Sequence, residues 1–139
     1  IDGESMSPTF HTGNRVILNG AYRFGSPERG DIVVFQPPYP SEEPYIKRVI
    51  GLPGDQLAIY DGAVFVNGVA LAEGYISDDP TSCFHALWCD LIVPDGQVYV
   101  LGDNRGNSSD SRVFGPVEID RIIGGVMVSI WPPDDIKTP

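Results

Sequence analysis

The sequence predicts an all-β or mainly β domain with little helix, on three observations. Its 16 glycines and 13 prolines are scattered through 139 residues, too densely for long helices. Short apolar stretches bounded by turn residues recur along the chain, as strands do. Two of the boundaries are Asp61-Gly62 and Asn67-Gly68, dipeptides that accept the positive φ values of tight hairpin turns. At 42% hydrophobic and 10% aromatic residues the composition is that of a folded protein. A chain of about 150 residues buries roughly 70% of its unfolded surface, so one domain over residues 1–139 suffices.

In chain order, strands are expected in NRVILNG (14–20), GDIVVFQPP (30–38) and YIKRVIGLPGD (45–55), each closed by Gly or Pro. QLAIYDG (56–62) and AVFVNGVAL (63–71) follow as a meander through the two hairpin dipeptides. Residues 73–96 are more polar and irregular, hold both cysteines, and read as a small excursion from the sheet. QVYVLGDN (97–104) and IIGGVMVSIW (122–131) supply the last strands. Helix is limited to a turn or two after Ser7-Pro8, with Ser as N-cap and Pro at the first helical position.

A net charge of −10 argues against a nucleic-acid partner, which needs clustered Lys and Arg to neutralise phosphates. No apolar run approaches the roughly 20 residues that span a bilayer. The chain starts at Ile1 with no signal-peptide pattern, so an upstream anchor or targeting segment is expected to belong to a longer protein. In TSCFHALWCD the spacing of Cys83 and Cys89 suits a small disulfide loop, which would place the domain in an oxidising compartment. Free thiols, or a metal site that includes His85, are the alternatives, although two Cys and one His fall short of a closed zinc site. No metal and no cofactor are expected.

Chemistry has three candidate places. The only lysines are Lys47 and Lys137, the latter in a polar tail. In a strand over 45–50, alternation puts Lys47 on one face with Tyr45 and Val49. Burial there disfavours the ammonium and brings its pKa from about 10.4 toward 7–8, where lysine serves as a general base. The alternative is a lysine that extends its head to solvent or pairs with a carboxylate. In ESMSPTF, Ser5 and Ser7 are nucleophiles only if a base takes their proton, and otherwise cap a turn. His11 and His85 offer a Ser-His-Asp alternative that spacing alone does not decide. Finally, LGDNRGNSSDSRVFGP (101–116) is either a solvated loop or a fixed polar network able to orient a lysine. Its spacing fails as an EF-hand, since Arg105 occupies a ligand position and the terminal Glu is missing.

Taken together, ESMSPT, RGDIVVF, YIKRVIGLPGD and GDNRGNSSDSR, in that order from residue 3 to about 116, resemble the type I signal peptidases, the membrane-bound serine endopeptidases that remove signal peptides from exported proteins. The resemblance implies a signal-peptidase-like antiparallel β-sheet or barrel fold, with Ser5 as nucleophile and Lys47 as general base. It implies Ser108 as the hydroxyl that orients the lysine, and supporting ion pairs between Arg48 and Asp103 and between Asp110 and Arg112. Ile1, Met6, Phe10, Val34, Tyr45 and Ile46 match the walls of the family's small substrate pockets. Some members carry a serine two positions before the nucleophile that helps form the oxyanion hole, and here that position is Gly3. Preproteins bearing signal peptides that end in A-x-A-like sites are the implied partners, with membrane lipid reached through an N-terminal anchor absent from this chain. The catalytic domain is then expected on the extracytoplasmic face. Another Ser-Lys protease, such as the self-cleaving domain of LexA-like repressors, and a secreted non-catalytic β module are the competing readings.

Overall fold

The structure, a computed structural model, describes residues 1, 3–20, 27–76 and 79–131, with the backbone alone at 128–131; Lys137 lies outside them. Its strands form two antiparallel sheets, in agreement with the expected fold class. They are β1 (Arg15–Asn19), β2 (Ile32–Phe35), β3 (Tyr45–Gly51), β4 (Gln56–Tyr60), β5 (Ala63–Val66), β6 (Val69–Ala70), β7 (Asp90–Ile92), β8 (Gln97–Leu101), β9 (Val117–Glu118) and β10 (Ile122–Trp131). The larger sheet runs β1-β10-β2-β3-β8-β9 and the smaller β6-β5-β4-β7.

The hairpin dipeptides act as their chemistry requires. Asp61 and Asn67 sit at φ of 51° and 53°, each followed by a glycine at positive φ, so both turns are left-handed and match the twist of the strands they join. The β4–β5 register that results, Leu57 opposite Val66 and Ile59 opposite Val64, turns these four side chains to one face. They pack with Ile50, Tyr99 and Leu101 of the larger sheet into one core. Val49, Val98 and Val100, the alternate residues of the same strands, build a second core with Val33, Phe35, Val117 and Ile122 on the other face. Strand β8 and the end of β3 at Val49 and Ile50 are thus apolar on both sides, and each fully buried Leu or Val is worth about 1.5–3 kcal/mol relative to its exposed state.

Two local expectations differ from what is found. The stretch after Ser7-Pro8 is a succession of turns, with Ser7 N–H donating to the Glu4 carbonyl and Phe10 N–H to the Met6 carbonyl, and the Ser7-Pro8 peptide is cis. The one α-helical turn among the described residues, α1 (Ser111–Phe114), lies instead where the Asp110 carboxylate caps the Arg112 N–H. The 73–96 excursion, of which 77–78 lie outside the described residues, is in part sheet, because Asp90–Ile92 pairs with β4 as an edge strand. No helix among the described residues is long and apolar enough to cross a membrane.

Candidate active site

Strand β3 delivers Lys47 and Arg48 to opposite sides of the larger sheet, and the segment after β8 closes over them. Lys47 is buried beside Tyr45, whose ring centroid lies 5.4 Å from Nζ. Lys47 Nζ donates to Ser5 Oγ across 2.7 Å. When the amine is neutral the same contact runs the other way, the hydroxyl donating to the nitrogen lone pair. Burial pushes the Lys47 pKa down to about 8, Asp110 and Asp103 opposing the shift and Arg112 adding to it.

The loop that carries Ser5 is held from both sides. Asn104 N–H donates to the Ser5 carbonyl at 2.8 Å, and Asn104 Nδ2 to the Glu4 carbonyl at 3.1 Å. Thr9 Oγ1 donates to Asp103 Oδ2, and on the outer side Gly3 N–H donates to Thr12 Oγ1. The Glu4 carboxylate faces the His11 ring and accepts from Thr12 N–H, contacts that hold its pKa below the usual carboxylate value. No acceptor among the described residues takes the Ser5 N–H. Gly3 sits at φ 95° with open space where a Cβ would point.

Behind the loop, Arg48 binds Asp103 through two parallel bonds of 2.9 and 2.8 Å, and Arg112 binds Asp110 through two of 2.9 Å. Asp110 also accepts from Gly102 N–H, and Ser111 Oγ accepts from Val100 N–H, so both ends of the 102–111 loop are tied to β8. Buried carboxylates without such partners would be strongly destabilising.

Ser5, Lys47, Ser108, Tyr45, Ile46, Val34 and Ile1 all line one cleft of about 890 Å³. The expected contact between Ser108 and Lys47 is not made: Ser108 Oγ is buried and has no hydrogen-bond partner among the described residues. Its side chain is packed against Gly102, where a Cβ would meet Ser108 Oγ at 2.1 Å, and the lysine amine donates to Ser5 Oγ. Met6 and Phe10 do not line the cleft either. At 1% and 0% exposure they pack with Ile32 into a small core beneath the Ser5 loop, which is where the large apolar side chains of a short surface turn gain most by burial. The cleft also takes in Asn107 and Ser109 of the GDNRGNSSDSR motif, and Val16 and Leu18 of β1 with Ser41 to Pro44, which lie outside the four motifs. Val16 and Leu18 are the two half-buried positions of β1, a distinction that the continuous apolar run Val16-Ile17-Leu18 does not reveal in the sequence.

Cys83 and Cys89 are joined in a disulfide, leaving no free thiol among the described residues. His85 lies between them, far in sequence from Ser5, and His11 turns its Nδ1 to Glu4, so Lys47 is the base found at the serine.

Residues 1–131 match the family model described as signal peptidase, peptidase S26. The chain is 41% identical over 138 residues to a probable signal peptidase I-2 of a Synechocystis species, covering 95% of this chain and 62% of that protein. It is 43% identical over 140 residues to the signal peptidase I of Leptolyngbya laminosa, covering 95% of this chain and 67% of the relative. Signal peptidase IB of Staphylococcus aureus is 38% identical over 154 residues, with 99% and 78% covered. Among solved structures, the crystal structure of a signal peptidase I from Enterococcus faecalis superposes with a TM-score of 0.59 at 34% identity, over 73% of this chain and 97% of the other. The chain thus spans less than two thirds of the Synechocystis protein's length.

Proposed function

Since this chain belongs to the peptidase S26 family of signal peptidases, we propose that it is one catalytic domain that removes signal peptides from exported preproteins by a Ser5–Lys47 dyad. The observation that carries this reading is the 2.7 Å contact between Ser5 Oγ and a buried Lys47 Nζ whose pKa is about 8. A lysine so placed is neutral for a useful fraction of molecules near neutral pH, and its lone pair points at the one hydroxyl it must activate.

In this reading neutral Lys47 takes the Ser5 Oγ proton as the oxygen attacks the scissile carbonyl carbon. The Ser5 N–H, which has no acceptor among the described residues, donates to the oxyanion that forms, and with Gly3 in place of a serine no side-chain hydroxyl at that position assists it. Protonated Lys47 gives its proton to the leaving amine, which departs as the new N-terminus of the mature protein. A water then loses a proton to the same lysine and attacks the Ser5 ester; as the C–O bond breaks Lys47 returns that proton to Ser5 Oγ, and the signal peptide is released as a carboxylic acid. Asp103 and Asp110, each neutralised by its arginine, support Lys47 without fixing it as an ammonium. Ser108 supplies a spare hydroxyl at the cleft wall.

Ile1, Val34, Tyr45 and Ile46 leave room in the cleft for small side chains, which favours A-x-A-like sites. An extended peptide laid along the cleft puts alternate side chains against the wall, the pattern such sites require. The disulfide suits an oxidising, extracytoplasmic location, and preproteins at a membrane surface are the substrates to expect.

A peptide carrying an A-x-A site tests this with detergent or lipid present. The chain is expected to cut it in trans after the second small residue, and Ser5→Ala or Lys47→Ala to lose about a thousand-fold or more. A folded chain that cuts nothing, or a Lys47→Ala variant with near-full activity, overturns the reading.

A further inference from the structure

Three buried arginines surround the dyad, and one segment outside the cleft covers all of them. Arg48 presents its guanidinium edge to Asp103 and its face to Tyr75, whose ring centroid lies 3.8 Å from Cζ. Arg112 presents its edge to Asp110 and its face to Phe84, 4.3 Å from Cζ. Between them Arg105 donates to the Gly102 carbonyl, to Thr81 Oγ1 and to both Glu73 carboxylate oxygens. Tyr75 OH donates to the same Glu73 carboxylate, and Arg112 Nη1 reaches the Ser82 carbonyl at 3.4 Å. The polar stretch that reads as an excursion therefore touches the catalytic support at each arginine.

We propose that Tyr75 and Phe84, neither of which lines the cleft, are positioning residues for the Ser-Lys reaction: their rings hold the Arg48 and Arg112 guanidinium groups over Asp103 and Asp110, and so set the charge field in which Lys47 works. The inference rests on the dyad reading above. Its physics is that a planar guanidinium stacked on an aromatic ring is kept dry on that face while its edge stays free for a bidentate carboxylate. Phe84 is 46% exposed, so little of its worth lies in core packing and its contact with Arg112 stands out.

The groups that act on Lys47 are Asp103, Asp110 and Arg112 from the 102–112 stretch, with Tyr45 and Ser5 in direct contact. Both carboxylates favour the ammonium and Arg112 disfavours it. Without the Tyr75 ring Arg48 is freer to leave Asp103, whose charge is then less compensated. Without the Phe84 ring water reaches Arg112 and screens it. Each loss stabilises the ammonium, so both move the Lys47 titration upward.

The test uses the chain's two lysines, Lys47 and Lys137. Protein labelled with 13C at lysine Cε gives two signals, assigned by a Lys137→Arg variant, and the Lys47 midpoint is read by NMR without turnover. The unmodified chain is expected to titrate near 8, and Tyr75→Ala and Phe84→Ala higher by roughly half a unit or more. Tyr75→Phe, which keeps the ring and loses only the bond to Glu73, is expected to hold the unmodified midpoint. A stabilising role alone lowers the melting temperature and leaves the midpoint of the folded protein in place. Unmoved midpoints in the folded alanine variants overturn the proposal, and should Tyr75→Ala fail to fold, the exposed Phe84→Ala decides it. Midpoints that rise in a chain that cuts no signal-peptide substrate leave the positioning roles standing and overturn the dyad's function. Cleavage that depends on Ser5 and Lys47, with midpoints unmoved, does the reverse.

Discussion

The buried Lys47 on which the proposed dyad depends comes at a cost to the fold. A lysine whose pKa falls from 10.5 to about 8 on folding is penalised in full below pH 8, where it is charged in both states. The penalty shrinks as pH rises from 8 to 10.5, where the unfolded chain binds more protons than the folded one, and is gone above 10.5. Lys47→Met, similar in length and without charge, is therefore expected to stabilise the protein by about 1–3 kcal/mol at neutral pH while abolishing activity. Urea unfolding of both proteins at pH 7 and above pH 10 checks this, since the gain should fade at the higher pH. Lys47 was legible in the sequence because it is the one lysine set in an apolar strand. The state of Ser108 was not. Whether its hydroxyl meets the lysine or rests on Gly102 depends on the conformation of one loop, which motif spacing does not encode.

At the scale of elements, the site depends on how closely the 102–111 loop lies on the nucleophile loop. A Cβ at Gly102 would come within 2.6 Å of the Ser5 carbonyl oxygen and 2.1 Å of Ser108 Oγ, with backbone on one side and a buried hydroxyl on the other. Gly102→Ala is expected to destabilise by about 1–3 kcal/mol and to lower kcat far more than it raises KM, because it displaces Ser5 from the lysine. Thermal melts and steady-state kinetics on one preparation separate the two effects. The β4–β5 hairpin was plain from Asp-Gly and Asn-Gly, since local backbone chemistry decides such turns. The helical turn was expected at Ser7-Pro8 and is found at Asp110, because each cap motif is a local signal and neighbouring contacts choose between them. Strand β7 escaped notice for a related reason. Asp90–Ile92 is a short edge with no apolar alternation of its own, and it is a strand only because β4 needs a partner.

Across the whole molecule, strand β3 of the larger sheet carries Lys47, Ser5 stands on a loop, and three ion pairs tie together the segments around them. Those pairs join Arg48 to Asp103, Arg112 to Asp110 and Arg105 to Glu73, and all six residues have side chains at most 7% exposed. The first two were legible through the motifs. Glu73 was not, because its partner lies 32 residues away and nothing in the intervening sequence marks the pairing. The cleft was legible in half: Ile1, Val34, Tyr45 and Ile46 line it, while Met6 and Phe10 went to the core, since both kinds of position call for apolar residues. The most direct test of the Ser5–Lys47 dyad is the pH dependence of kcat/KM for an A-x-A peptide substrate. The rate should rise through a single midpoint near 8 as Lys47 loses its proton, with Ser5→Ala and Lys47→Ala inactive across the range. A profile that is flat from mildly acid to alkaline pH, or a rate that survives in Lys47→Ala, would contradict it.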